Sequence, residues 1–192
     1  MKYTENKEEK SYQLSAWKGH ADFAKWLVNR VQPTTTVDLG VDYGFSLFAL
    51  AEPEIGTVYG IDTFTAGAHG NHPDNYDVVM GIKERYNFSN VEVIKGLFSD
   101  VVVNWTKPID ILHIDGDHQY ESIVEDWNNW FPFLTENGVV IMHDTNSDWV
   151  GIKKFYDEIT IPKCNFLQSY GLGVASRNKE LIDEIKNVFG IE

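Results

Sequence analysis

The sequence has little cysteine, no long apolar run and few basic residues. Its one cysteine, Cys164, has no partner for an internal disulfide, and we expect it to be a buried apolar residue rather than a nucleophile. No apolar run approaches the length of a membrane-spanning helix, and residues 1–10 are polar and lack the apolar core of a secretion signal. These absences favour a cytoplasmic protein without a membrane partner.

The charge is strongly acidic, because 16 Lys and Arg face 29 Asp and Glu, for a net charge of −13. A nucleic-acid backbone or an anionic membrane binds basic patches, so this charge argues against both as main partners. The length of 192 residues predicts one domain over residues 1–192, and we find no internal repeat or linker. The six tryptophans could fill the core, line a cleft for a small-molecule substrate or form a homo-oligomer interface.

Strand and helix patterns alternate along the chain after a polar arm at residues 1–11, which we expect to be frayed. Short apolar runs predict strands at 35–39, 57–61, 91–94, 109–114 and 139–142, followed by an antiparallel pair at 165–169 and 172–175. Helical spacing predicts helices at 12–31, 45–51, 76–86, near 99–105, 120–134 with a cap at Gly138, 148–159 and 178–189 with Val188 inward. This alternation predicts a three-layer αβα sandwich, an α/β fold with a mainly parallel sheet. The polar loop at 63–75, with His69 and His72, is expected to be mobile and near the functional site.

Polar residues gather at the predicted carboxyl ends of these strands, where parallel sheets bind ligands. Successive strands end on Asp38 and Gly40, on Asp62, on Gly96, on Asp115, Asp117 and His118, and on His143, Asp144 and Thr145. Polar residues scattered at random would not favour one edge of the sheet. This pattern is the main argument from the sequence for a binding site.

The stretch VDLGVDYGFS at residues 37–46 has the form of a strand, a tight glycine turn and a helix start. Such a turn either binds a ligand through its free N–H groups or is a bare connection. Asp62 ends the second strand and is suited to accept hydrogen bonds from ribose hydroxyls, or else to cap a turn. Asp42 would repel a diphosphate, whereas the ammonium and sulfonium of S-adenosylmethionine suit an acidic turn.

These motifs, with IDGDHQY at 114–120 and HDT at 143–145, resemble class I S-adenosylmethionine-dependent methyltransferases. The resemblance covers roughly residues 34–176 and is strongest to small IDGDHxY-type enzymes related to macrocin-type and catechol-type O-methyltransferases. It implies a Rossmann-like, seven-stranded sheet with an antiparallel last strand. It also implies S-adenosylmethionine as cofactor and methyl transfer to oxygen of a small molecule or sugar.

The resemblance also implies roles for individual residues. The predicted cofactor-binding set is Asp38, Gly40, Tyr43, Gly44, Ser46, Asp62, Gly96, Leu97, Phe98 and Asp115. Two positions that hold Mg²⁺ or another divalent cation in catechol-type relatives match Asp115 and Asp144, and the third is Thr145, a weaker ligand. Asp117, His118 or Asn146 could complete that shell, or the site could be free of metal.

A hydroxyl acceptor must lose a proton, and the residues nearest the predicted site offer three catalytic bases. His118 and Asp117 are the first candidates and His143 the next, although His118 could instead cap a helix. His113 is expected to be a core histidine, while Tyr12, Trp17 or His20 could cover a cleft. Two other functions stay open: a NAD-dependent dehydrogenase, disfavoured by Asp42 and a missing third glycine, and a non-catalytic nucleoside-binding or partner-binding domain, favoured by Thr145.

Overall fold

The fold is taken from a computed structural model that describes residues 2–65 and 75–191. Most of the predicted functional loop, including His69 and His72, lies outside the described residues. Within the described ranges, every helix is too short or too polar to cross a lipid bilayer.

A seven-stranded sheet forms the middle of the molecule. The strands are β1 (Thr35–Leu39), β2 (Thr57–Asp62), β3 (Val91–Lys95), β4 (Ile109–Ile114), β5 (Leu134–His143), β6 (Lys163–Phe166) and β7 (Leu172–Ser176). Their order is β3-β2-β1-β4-β5-β7-β6, and β7 runs antiparallel to both of its neighbours. The other adjacent pairs are parallel. The predicted αβα class and the antiparallel last strand are therefore confirmed.

Helices cover both faces of the sheet. They are α1 (Lys10–Leu14), α2 (Ala21–Val31), α3 (Phe45–Ala51), α4 (Tyr76–Tyr86), α5 (Phe98–Val102), α6 (Tyr120–Trp130), α7 (Val150–Glu158) and α8 (Lys179–Phe189). Short 3₁₀ helices occupy Tyr3–Glu5, Ala16–His20 and Phe131–Phe133. One apolar core lies between the sheet and α2, α3, α4 and α8, and the other between the sheet and α5, α6 and α7. The two cores give the sandwich its three layers.

Three of the predicted helices differ from the observed ones. The helix predicted at 12–31 is broken, because α1 ends at Leu14 and a 3₁₀ turn precedes α2. The helix predicted to run to Leu134 ends at Trp130, because Pro132 lacks the N–H that would continue it. Gly138 is consequently a residue of β5 rather than a helix cap, and Val188 is exposed rather than inward.

The prediction of a frayed N-terminal arm is also wrong for the residues from Lys2 onward. The Tyr3 side chain is only 1% exposed, packs against Phe48 and Phe88, and donates a hydrogen bond to Oγ of Ser11 at 2.6 Å. Burial of the Tyr3 ring holds this segment on the core, although most residues around it in the sequence are polar. The N-terminal segment is therefore part of the domain.

Replacing Tyr3 with Phe is expected to lower the free energy of unfolding by about 1 kcal/mol, because it removes one buried hydrogen bond and keeps the ring. Urea unfolding followed by tryptophan fluorescence measures the change. Tyr170→Phe is the control, since the side chain of Tyr170 is 60% exposed. Equal effects of the two substitutions would contradict burial of the N-terminal segment.

The register brings the functional loops to one edge. Leu39 pairs with both Ile61 and Ile114, and Ile114 pairs with Met142, so β1, β2, β4 and β5 end side by side. The antiparallel β7 begins at this same edge, opposite the last residue of β5. Six loops therefore meet there, including the predicted glycine turn.

Candidate active site

The glycine turn between β1 and α3 requires glycine at both of its ends. Gly40 has a φ of +98° and Gly44 has a φ of +91°. Residues that carry a side chain rarely adopt such backbone angles. A Cβ on Gly40 would lie 2.0 Å from the carbonyl oxygen of Asp115, so the turn touches the backbone that follows β4. The sequence thus brings the end of β1 into direct contact with the end of β4.

Asp62 holds the turn through its carboxylate. One oxygen accepts the N–H groups of Val41 and Asp42 at 2.9 and 3.0 Å, and the other accepts that of Phe64 at 2.8 Å. Asn75 in turn donates to the carboxylate of Asp42 at 2.8 Å. Two carboxylate oxygens offer about four acceptor positions, so the three bonds leave room for one more donor. These three bonds agree with the interpretation of Asp62 as a residue that caps the turn. They also leave an acceptor position for a ribose hydroxyl.

Asp38 and Ser46 lie at the two ends of the turn and bind each other. The Ser46 hydroxyl donates to the Asp38 carboxylate at 2.9 Å, and both side chains are buried. The other oxygen of Asp38 binds Nδ1 of His113, a core histidine as predicted. Burial raises the pKa of Asp38, and His113 opposes this shift. Because Asp38 and Ser46 are enclosed, the structure places them as supports of the turn rather than as direct ligand contacts.

The remaining predicted cofactor residues line the same edge. The side chain of Tyr43 is nearly buried. The ammonium of Lys10 lies over its ring, 4.7 Å from the ring centre. Gly96 donates its N–H to the carbonyl of Asp62 at 2.9 Å, and Leu97 is exposed. The ring of Phe98 lies so close to Gly116 that a Cβ there would be 2.6 Å from it. The loops after β2, β3 and β4 therefore converge beside the glycine turn.

Two histidines and two aspartates form a compact cluster at the ends of β4 and β5. Nε2 of His118 lies 3.1 Å from a carboxylate oxygen of Asp144 and 3.5 Å from one of Asp115. Nδ1 of His143 lies 3.2 Å from Asp144 and 3.7 Å from Asp115. Ligand atoms of Asp115, His118 and Asp144 all lie within 4.8 Å of one another, a spacing suited to one metal ion.

The pKa values of the cluster follow from this geometry. Burial lowers the pKa of His118, but hydrogen bonds to Asp115 and Asp144 outweigh it and raise the pKa to about 9. Burial likewise opposes the raised pKa of His143, which the same carboxylates favour. The pKa of Asp144 is well below its usual range, because the bonds to His118 and His143 overcome the effect of its burial. In the metal-free protein, His118 is therefore protonated at neutral pH and faces both carboxylates.

Two predicted site residues lie outside this cluster. Asp117 accepts the N–H of Gln119 at 3.3 Å and the hydroxyl of Ser122 at 2.8 Å, so its carboxylate links the loop after β4 to the first turn of α6. Thr145 is buried and donates its hydroxyl to Asn165 at 2.7 Å, across to β6. His118, rather than Thr145, completes the possible set of metal ligands. The carboxylate of Asp117 is instead occupied by its bonds to Gln119 and Ser122.

Sequence reasoning did not connect two neighbouring side chains, His20 and Trp149, with the cluster. His20 is fully buried, its ring centre lies 5.6 Å from that of His143, and its nitrogens lack a hydrogen-bond partner among the described residues. Burial, followed by the charge of His143, lowers the pKa of His20 to about 4. Trp149 stacks on the ring of His118 at 5.3 Å between centres and stays 42% exposed. No spacing signal links these residues to strand ends, although His20 was a candidate for covering a cleft.

Comparison with known proteins gives the family of this chain. A family model described as a methyltransferase domain matches residues 37–145, from β1 to the end of the cluster. The uncharacterised protein y4gI of Sinorhizobium fredii is 31% identical over 182 residues, which cover 88% of this chain and 20% of that protein. This chain therefore spans about a fifth of that relative's length.

Solved structures share the fold. Cofactor-bound Rv0187 from MTB superposes with a TM-score of 0.67 at 17% identity, covering 83% of this chain and 80% of that one. An O-methyltransferase from Bacillus cereus in complex with SAH has a TM-score of 0.63 at 20% identity, covering 82% and 80% of the two chains. At these identities, the likeness shows the shared architecture.

Proposed function

The chain belongs to the methyltransferase-domain family, and we propose that it transfers the methyl group of S-adenosylmethionine to a hydroxyl oxygen of a small molecule or sugar. The observation that carries the proposal is the contact between the glycine turn and the cluster of two histidines and two aspartates. Gly40 lies against the carbonyl of Asp115, whose side chain belongs to that cluster. A cofactor on the turn would therefore present its reactive end to the cluster.

The chemistry of the turn supports this cofactor. The ammonium and sulfonium of S-adenosylmethionine are attracted by carboxylates, and Asp42 and Asp62 stand at the turn. Asp62 retains acceptor capacity for a ribose hydroxyl, and Gly96, Leu97 and Phe98 adjoin it on the side proposed for adenine. The structural relative from Bacillus cereus was solved in complex with SAH, which agrees with this assignment. A nicotinamide dinucleotide fits less well, because Asp42 would repel its diphosphate.

A divalent cation fits the donor set of Asp115, His118 and Asp144. Two carboxylates suit Mg²⁺ or Mn²⁺, and the imidazole favours Mn²⁺ of the two. When bound, such a cation would lower the pKa of the acceptor hydroxyl. The chain's own residues position the reaction: the turn holds the cofactor, and the cluster orients the acceptor oxygen in line with the methyl carbon and sulfur.

Methyl transfer forms an oxygen–carbon bond, breaks the carbon–sulfur bond and releases one proton from the acceptor. The proposed recipient of that proton is His143, because Asp115, His118 and Asp144 would hold the cation and His118 already carries a proton when the cation is absent. Nδ1 of His143 lies 3.2 Å from Asp144 and 3.7 Å from Asp115, so both carboxylates would stabilise the charge that it gains. Trp149 covers one face of His118 and limits the access of water.

Two measurements test the proposal. Isothermal titration with S-adenosylhomocysteine should show binding to the turn, and transfer of a labelled methyl group to a panel of hydroxylated acceptors should show the activity. Chelation by EDTA followed by added Mn²⁺ tests the cation. No binding at millimolar ligand would refute the cofactor assignment, and binding without transfer to any acceptor would favour a non-catalytic domain. Binding of NADH instead would favour the dehydrogenase.

Replacing Asp62 with Ala is expected to weaken S-adenosylhomocysteine binding by about 10-fold to 100-fold, because it removes a ribose acceptor and releases three N–H groups of the turn. Isothermal titration gives the dissociation constant. Asp110→Ala is the control, because Asp110 also accepts two backbone N–H groups, at Thr34 and Thr35, at the opposite end of β1. Equal losses for both variants would contradict a specific role of Asp62.

A further inference from the structure

A buried chain of hydrogen bonds runs from the N-terminal segment to the glycine turn. The indole N–H of Trp17 points at Nε2 of His113 at 3.1 Å, and Nδ1 of His113 binds the carboxylate of Asp38. The other oxygen of Asp38 accepts the hydroxyl of Ser46 at 2.9 Å. All four side chains are buried. Asp38 stands two residues before Gly40, and Ser46 stands two residues after Gly44. The hydrogen-bond chain therefore joins the two ends of the turn.

Trp17 determines the direction of these bonds. An indole nitrogen can only donate, so Nε2 of His113 must accept and cannot carry a proton. The proton of the neutral imidazole then lies on Nδ1, from which it is donated to Asp38. The other tautomer would set two N–H groups against each other at Trp17 and leave Asp38 without this donor. Trp17 and the Asp38 carboxylate therefore both require the form of His113 in which Nδ1–H donates to Asp38.

The Trp17 ring is itself held in place. Ser15 accepts the backbone N–H of Trp17 at 3.0 Å and caps the 3₁₀ helix Ala16–His20. Gly19 in the same helix lies so close to Ser169 that a Cβ would meet its hydroxyl at 2.0 Å. This short helix is wedged between the loop before β7 and the histidine of β4. Trp17 thus reaches His113 from a fixed position rather than from a loose arm.

We propose that Trp17 is a positioning residue of the cofactor turn, which acts by holding the ring of His113 so that its Nδ1–H donates to Asp38. Without the Trp17 bond, the ring of His113 would be held from the Asp38 side alone, and the ends of the turn would be less firmly joined. The shape of residues 40–44 would then be less well set for binding. This inference rests on the proposed function in one respect, namely that S-adenosylmethionine is the ligand of the turn.

The test compares Trp17→Phe with Trp105→Phe. Trp105 is nearly buried and its indole donates to the carbonyl of Lys107 at 2.8 Å, so both variants lose one indole bond, but only the Trp17 bond leads through His113 and Asp38 to the turn. Imidazole ¹⁵N shifts, assigned with His113→Gln, report which nitrogen of His113 is protonated. We expect the Nδ1–H form in the wild type and in Trp105→Phe, and a loss or mixture of that form in Trp17→Phe.

Titration with S-adenosylhomocysteine supplies the second readout. Trp17→Phe should raise the dissociation constant about fivefold, as loss of one buried hydrogen bond predicts, and Trp105→Phe should leave it unchanged. If Trp17→Phe does not fold, benzothienylalanine at position 17 removes only the N–H and keeps the ring shape. An unchanged tautomer, or equal losses of affinity in the two variants, would overturn the inference. Failure of the wild type to bind would refute the proposed cofactor instead. The protonated nitrogen of His113 would still test the role of Trp17 in the hydrogen-bond chain.

Discussion

Replacing Gly40 with Ala is expected to abolish most cofactor binding. The new Cβ would lie 2.0 Å from the carbonyl oxygen of Asp115 and 2.6 Å from its carbon, and neither backbone atom can rotate away. The φ of +98° adds strain of about 1–2 kcal/mol for any residue with a side chain. The turn must therefore separate from the end of β4. We expect affinity for S-adenosylhomocysteine to fall by roughly a hundredfold, since an ångström-scale displacement has effects of that order.

Gly81→Ala provides the matched control. Gly81 lies within α4, and a Cβ there would meet no heavy atom within 4 Å. This substitution should leave binding unchanged and stabilise the helix by up to about 1 kcal/mol. Isothermal titration and urea unfolding measure both variants. If Gly40→Ala binds as tightly as the wild type, the turn does not carry the cofactor. If it loses only stability, the turn is a structural connection.

The sequence predicted β1 to β4 well, because each is a short, mainly apolar run that ends beside glycine or an acid. It predicted β5 and β6 less well, because β5 begins five residues before the predicted strand and β6 lies at 163–166 rather than 165–169. β1 and β4 begin and end at the predicted residues, and β2 and β3 are each one residue longer. The errors fall where local pattern and packing disagree. Pro132 ended a helix that apolar spacing alone would have extended. Tyr3 anchored a polar segment that composition alone described as an arm.

The candidate site was predictable to the extent that it depends on strand ends. Asp115, His118, His143 and Asp144 follow β4 and β5 or end them, and the parallel register brings them together. The bonding of each carboxylate was not predictable, because it depends on neighbours distant in the sequence. Asp117 and Asp115 are two residues apart, yet Asp117 bonds to Ser122 in the first turn of α6 and Asp115 belongs to the cluster. Contacts of Trp17 and His20 likewise span about a hundred residues and leave no local signal.

Replacing His118 with Gln is expected to destabilise the metal-free protein near pH 6 and to have little effect above pH 9. Burial lowers the pKa of His118, but the bonds to Asp115 and Asp144 raise it from 6.5 to about 9. A raised pKa contributes stability that is fully present below pH 6.5 and is lost as pH rises through 9. That shift corresponds to about 3 kcal/mol. Urea unfolding of both proteins in EDTA from pH 6 to 9.5 should give two curves that converge as pH rises.

A second substitution tests whether the carboxylates cause this dependence. In an Asp144→Asn background, His118 loses its shorter carboxylate contact and keeps the longer one to Asp115, at 3.5 Å, so the effect of His118→Gln at pH 6 should shrink substantially. Stability curves of wild type and His118→Gln that stay parallel from pH 6 to 9.5 would show that His118 is not protonated between the two aspartates. The same proton competes with a cation, because a metal-bound imidazole must be neutral. Mn²⁺ should therefore bind about tenfold more tightly for each pH unit between 6.5 and 8.5, and His118→Gln should remove most of that slope.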